Sequence, residues 1–279
     1  MQNANRFRSV CFFLFFVLLS IVFLYPLASL LLASFKPSTE LLRNGLSLGI
    51  QPELFTWNNY SYLFSDAGRK YFFWYRNSLV ITFVFTMLSL LLSSMVGYGL
   101  AIYHFKGKNL LFLLVLVVMM IPVEIIILPL YKLTISLKII NTYWGVILPF
   151  VVAPLPIFFF RQFASSLPKD YLDAGRVDGC TELGIFFRLM IPLMLPAFGA
   201  MAILQALHSW NNFLWPLIVL RTDDMLTLPI GLTSMITPYG NNYDMLLSGS
   251  VLSIVPIVIL FAAFQRFFIS GLTAGGVKG

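Results

Sequence analysis

Charge is what this chain has least of. Asp, Glu, Lys and Arg together make up 10% of its 279 residues, against about 25% in soluble domains. That leaves too little polar surface for a water-soluble globule. Cysteine is almost absent too: Cys11 and Cys180 are too few and too far apart for a disulfide framework or a metal site, and they read as free thiols. No segment fits the phosphate-cradling pattern G-x-x-x-x-G-K-[ST], since Gly107-Lys108-Asn109 lacks both the upstream glycine spacing and the hydroxyl. The chain itself is therefore not an ATPase. The net charge of +7 comes from 18 basic and 11 acidic residues dispersed between apolar runs. Without a basic face, this speaks against a nucleic-acid partner and fits contact with anionic lipid. No period of 20–50 residues repeats.

What is present is hydrophobic length. Hydrophobic residues are 59% of the chain, and they fall in runs long enough to cross a bilayer. The runs predict an all-α integral membrane protein, a single transmembrane domain over 1–279 with six spans at about 10–33, 77–103, 110–131, 142–160, 196–220 and 248–269. The first run exceeds the roughly 7–15 apolar residues of a signal peptide and reads as an uncleaved anchor. Residues 35–76 are rich in turn formers and read as an external segment whose Trp57, Tyr60, Tyr62, Trp74 and Tyr75 suit an interfacial belt. Ser93 and Gly97 have the small-x-x-x-small spacing of close helix approach. Pro122, Pro129, Pro149, Pro154 and Pro156 predict irregular helices in the third and fourth spans, either lining a cavity or serving packing. Residues 221–247 read as a second external segment, and 270–279 as a glycine-rich tail. Six spans place both termini on one side. With the N-terminus inside, ten Lys and Arg fall on inner segments and eight on outer ones, and the denser short inner turns favour that orientation.

One polar stretch is too long to be a connection. Residues 165–192 carry Lys169, Asp170, Asp173, Arg176, Asp178, Glu182 and Arg188 between the fourth and fifth spans. Pro168 suits a first helical position, Asp170 a helix N-terminus and Gly179 a helix stop. Asp173 lies four residues after Lys169 and three before Arg176, so both pairs can meet on a helix surface. Tyr171, Ala174 and Gly175 form a partly small face for another protein. A second helix is expected over 183–189.

The order Asp173-Ala174-Gly175, Asp178-Gly179, Ile191-Pro192-Leu193 and Pro196 resembles the EAA loop of ABC importer permeases, with aspartate in place of the usual glutamate and glycine in place of the second alanine. Ser34-Phe35-Lys36-Pro37, Trp57-Asn58-Asn59-Tyr60, Asn77-Ser78, the run from Trp210 to Pro216 and the ending Gly271 to Gly279 are similar to carbohydrate-uptake permeases of the maltose-transporter type. The resemblance implies an importer permease bundle in the cytoplasmic membrane that moves sugar inward by alternating access. It implies a coupling helix carrying Asp173, Ala174, Gly175, Asp178 and Gly179 that docks on a separate ATPase dimer, which holds the ATP and Mg. It implies a second, homologous permease subunit and an extracytoplasmic solute-binding protein, with the tail from Thr273 to Gly279 entering the ATPase interface. The substrate class it implies is an oligosaccharide such as a malto- or arabino-oligosaccharide, with a glycerol phosphate as the alternative. An ion-coupled carrier acting alone would need no docking loop.

Within the spans Glu124 and His208 are the rare ionisable groups, and such groups are functional candidates by default. Gln205, His208, Trp210, Asn211 and Asn212 offer hydrogen bonds and an aromatic face for a sugar, or contacts between helices. Asn241, Asn242 and Tyr243 are candidates at the tip of a loop that meets the binding protein. No metal ligands are expected.

Overall fold

The computed structural model describes residues 2–40, 45, 48–49, 51–66, 68–237 and 240–273, with side chains for 8–40, 45, 48–49, 51–66, 68–236 and 242–267. Helix dominates because these runs cannot expose backbone polar groups to hydrocarbon. In chain order the helices are α1 Gln2–Ser34, α2 Asn58–Leu63, α3 Arg69–Ile102, α4 Lys108–Met119, α5 Val123–Ser136, α6 Tyr143–Ile147 and α7 Pro154–Ser165. They continue as α8 Asp170–Val177, α9 Glu182–Ile185, α10 Ile191–Leu193, α11 Leu195–Trp210, α12 Leu214–Val219, α13 Leu228–Thr233 and α14 Tyr243–Thr273. A two-residue antiparallel pair, β1 Ile236–Thr237 with β2 Gly240–Asn241, precedes α14.

Among the described residues three helical segments are long and apolar enough to cross a bilayer alone: Arg8–Ser34, Arg69–Ile102 and Tyr243–Phe267. Three more spans arise if each bent pair counts as one. The bends are 102° between α4 and α5, 48° between Tyr143–Phe150 and α7, and 79° between Glu182–Leu193 and α11. The third and fourth spans are thus broken, in keeping with the irregular helices that their prolines predict. Pro122 precedes α5 and Pro154 opens α7, where a residue without an N–H costs no helical hydrogen bond. The fifth expected span also breaks, at residues 211–213 between α11 and α12. The second and sixth helices begin earlier than expected, at Arg69 and Tyr243.

The chain packs as two compact units, Met1–Phe72 with Leu232–Val255 and Phe73–Gly231 with Pro256–Gly279. In the first, Asn59 fastens the end of α1: its Nδ2 donates to Ser34 O and Lys36 O, both at 2.8 Å. Ser34 and Tyr60 hydroxyls pair at 2.7 Å, Lys36 Nζ donates to Gly49 O at 2.7 Å, and Ser248 Oγ donates to Asn59 O at 3.1 Å. Phe35 stacks on Phe55 and meets Trp57 and Tyr60 edge-on or tilted. Trp57 itself is 63% exposed, consistent with an interfacial position.

In the second unit, one buried cluster joins α3, α7, the polar stretch and α11 through Phe160, Ile185, Met190, Met194 and Met201. Ser93 is fully buried, and a Cβ on Gly97 would lie 2.8 Å from Arg161 N and Ile157 O. Gly97 thus sets a backbone-close crossing of α3 with α7. Trp74 does not join an interfacial belt. It is 1% exposed, donates its indole N–H to Asp223 O at 2.8 Å and fits against Gly231, where a Cβ would overlap its ring.

Candidate functional site

The polar stretch folds as two helical limbs at a glycine. α8 opens at Asp170 with Lys169 as its cap residue, so Pro168 stands before the helix rather than at its first position. The far end is a Schellman closure. Gly179 adopts φ +76°, Gly179 N–H donates to Arg176 O at 3.0 Å, and Cys180 N–H donates to Gly175 O at 2.9 Å. Thr181 then caps α9, its Oγ1 accepting from Gly184 N–H at 3.1 Å. The second limb extends past the expected 183–189. It passes through a wider π turn, Phe186–Met190, into α10, where Pro192 supplies no donor for the α-helical pattern.

Burial sorts the faces of α8. Leu172 and Gly175 are buried and turn inward. Gly175 therefore belongs to the packed side, with Leu189 and Ile185 against its Cα, and not to the outer face expected from its size. Tyr171, Asp173, Ala174, Val177, Asp178 and Gly179 are exposed. Val177, an aliphatic side chain 87% in solvent, is exposed with Tyr171 among the charged side chains of Lys169, Asp170, Asp173, Arg176 and Asp178.

A charged bridge braces this hairpin. Arg176 Nε donates to Glu182 Oε1 at 2.9 Å and its Nη1 to Asp173 Oδ1 at 3.4 Å. Tyr103, just beyond α3, donates its hydroxyl to Glu182 Oε2 at 2.7 Å. The hydrogen bond from Arg176, then that from Tyr103, hold the Glu182 carboxyl below its usual range. Burial, then the bond to Glu182, push the Tyr103 phenol up. The expected pair of Lys169 with Asp173 makes no ion pair among the described residues.

The membrane candidates do not gather at one point. Gln205 is buried and donates to Ser89 Oγ at 2.6 Å, so it ties α11 to α3. Trp210 is buried and meets Tyr75 edge-on at 5.8 Å. It also lines an apolar recess of about 190 Å³ with Thr82, Phe83 and Thr86 of α3 and Phe264 of α14. The hydroxyls of Thr82 and Thr86 are shielded and have no hydrogen-bond partner among the described residues. His208 is exposed, its ring 6.2 Å from that of Phe85. Asn211 closes α11 and is exposed, and Asn212 is half-buried. Glu124 is exposed in the first turn of α5, beside the 102° break.

The external candidates are displaced from the loop tip. Asn242 is half-buried: its Oδ1 accepts from Met245 N–H at 3.0 Å and its Nδ2 donates to Tyr62 Oη at 3.2 Å, so it caps α14. Tyr243 is the first residue of that helix and half-buried. The Asn241 side chain and residues 274–279 of the tail lie outside the described residues. Sequence reasoning missed Tyr103 and Glu182 as a pair, because their 79-residue separation leaves no local pattern. It also left Asn77 unexplained. Its Nδ2 donates to Asp224 O at 2.7 Å and Leu226 O at 2.9 Å, while its Oδ1 accepts from Tyr143 Oη at 2.6 Å.

The family described as binding-protein-dependent transport system inner membrane component matches residues 89–273. Over 266 residues the chain is 61% identical to the arabinooligosaccharides transport system permease protein AraQ of Bacillus subtilis (strain 168), covering 95% of this chain and 94% of that one. It is 28% identical to the maltodextrin transport system permease protein MdxG of the same organism, over 100% and 99% of the two chains. Its fold matches, with TM-score 0.81 at 20% identity over 95% and 98% of the chains, a chain from the crystal structure of a bacterial ABC transporter involved in the import of the acidic polysaccharide alginate. With the matched segment covering more than half its length, this chain belongs to the binding-protein-dependent transport system inner membrane components.

Proposed function

We propose that this chain is the permease subunit of an ATP-driven importer that brings an oligosaccharide, of the arabino-oligosaccharide class, into the cytoplasm. The exposed α8, braced from behind and presenting Tyr171, Ala174 and Val177 among carboxylates, carries this reading. It is a surface built for a partner, and a carrier acting alone has no use for it. Similarity at 61% identity to an arabinooligosaccharide permease over 95% of this chain supports the substrate class. The maltodextrin relative supports an oligosaccharide more broadly.

In this reading residues 1–279 serve as one transmembrane domain, with both termini and the 165–192 stretch in the cytoplasm. Asp173, Ala174, Asp178 and Gly179 stand at the ATPase contact, and Gly175 holds α8 against the second limb. The ATPase dimer holds the ATP and Mg, and a homologous second permease completes the pathway. A solute-binding protein delivers the sugar outside. Closure of the ATPases draws the coupling helices together and switches access. Trp210 and the Thr82–Thr86 face are where this subunit would meet a sugar ring.

The test is uptake into proteoliposomes that hold the whole assembly. Arabino-oligosaccharide should enter only with ATP inside and the binding protein outside. Uptake driven by a proton or sodium gradient without ATP would contradict the proposal. Uptake of glycerol phosphate in place of the sugar would move the substrate class.

A further inference from the structure

The bridge at Glu182 does more geometric work than a surface ion pair. Tyr103 extends α3 by one step, its N–H still donating to Gly99 O at 3.3 Å, so its hydroxyl reports the position of a 34-residue helix. Arg176 lies in the last turn of α8, and Glu182 is the first residue of α9. One carboxylate thus takes a neutral donor from the end of the spanning helix on Oε2 at 2.7 Å and the guanidinium of the docking helix across both oxygens, Nε to Oε1 at 2.9 Å and Nη2 to Oε2 at 3.4 Å. Glu182 thereby links two elements that are far apart in sequence. Packing backs them up: the Tyr98 ring on α3 lies 5.1 Å from that of Phe186 at the start of the π turn, and 5.8 Å from that of Tyr103. Arg176 also donates to Asp173, so its charge is shared between two carboxylates of the hairpin.

We propose that Glu182 is a positioning residue for coupling, holding α8 in register with the cytoplasmic end of α3 so that force applied at the docking helix reaches the spanning helix. This rests on the reading of α8 as the ATPase contact. Glu182 acts through Arg176, and Tyr103 acts through Glu182.

The experiment uses the complete assembly in proteoliposomes, with Tyr103→Phe, Glu182→Gln and the double variant beside the wild type. ATPase co-purification, ATP hydrolysis and sugar uptake are measured on each. Both single variants should retain the ATPase and the thermal midpoint, while sugar carried per ATP hydrolysed falls about fivefold, within the range of coupling effects of contact networks. The double variant should lose no more than Glu182→Gln alone, because both changes remove the same bridge. A wild-type ratio in both single variants overturns the proposal, as does a double loss equal to the product of the two. Loss of the ATPase from Glu182→Gln alone would overturn it in favour of a docking role. Failure of the wild type to hold an ATPase would instead overturn the docking reading beneath it.

Discussion

Glycines on α3 and α8 look alike in sequence and differ in consequence. At Gly97 a methyl group would meet backbone atoms of α7 at 2.8 Å, and backbone in a packed membrane helix has nowhere to go. Gly97→Ala should therefore lower stability by about 1–3 kcal/mol, seen as a reduced denaturation midpoint in detergent. At Gly175 the nearest atom is the tip of Leu189, also at 2.8 Å, and a leucine tip can turn aside. Gly175→Ala should be neutral or slightly stabilising, since alanine gains up to about 1 kcal/mol over glycine in a helix. Equal loss in both variants would contradict the distinction. Glu182 gives a pH expectation of the same scale. Its folded pKa is depressed, so the bridge contributes fully above the unfolded value of 4.5 and is lost as pH falls through the lower folded value. The pair is about half exposed, and its stability contribution is small. The Glu182 carboxyl signal in isotope-edited infrared spectra should stay that of a carboxylate below the pH at which a free glutamate protonates.

Among the elements, the spans were legible and their breaks were only partly so. Hydropathy locates apolar runs because each must cover a bilayer thickness, and Pro122 and Pro154 mark where helices restart. Bend angles of 48° to 102° depend on what the limbs pack against, which no local pattern carries. The same holds for Asn77-Ser78. In sequence they are polar residues opening a span. In the fold they clamp the 224–228 segment, with Ser78 Oγ accepting from Leu228 N–H at 2.8 Å and Asn77 donating to Asp224 O and Leu226 O while accepting from Tyr143 and Arg76. Asn77→Ala would strand two carbonyls beside a fully buried site and should cost about 2–4 kcal/mol. Tyr143→Phe removes one of those bonds and should cost about 1 kcal/mol. The ratio of the two losses, measured by chemical denaturation in mixed micelles, tests the clamp. The aromatic reading divides in the same way: Trp57 is exposed as an interfacial residue would be, whereas Trp74 is captured by Gly231, and only the partner glycine distinguishes them.

For the molecule as a whole, the polar stretch was legible as a helical hairpin between spans because its length and caps are local properties. Gly179 stops α8 and Asp170 stands in its first turn, as expected, whereas Pro168 stands before the helix and the Thr181 cap went unread. Which residues of α8 face outward was not legible. Small size placed Gly175 on the outer face, but burial places it inside and leaves Val177 in solvent. The substrate-path candidates dispersed for a similar reason, since Gln205 is committed to Ser89 and helix rotation separates Trp210 from Asn211. Everything proposed for this chain depends on a partner at α8. The most direct measurement is a pull-down of the detergent-solubilised protein, wild type beside Gly179→Arg, with co-purifying chains identified by mass. The bulky side chain at φ +76° strains the turn and stands at the docking edge. Recovery of an ATPase and a second permease with the wild type, and loss of the ATPase from the variant, is the expected result. A wild-type chain that retains no ATPase, in conditions that keep other membrane complexes whole, would contradict it.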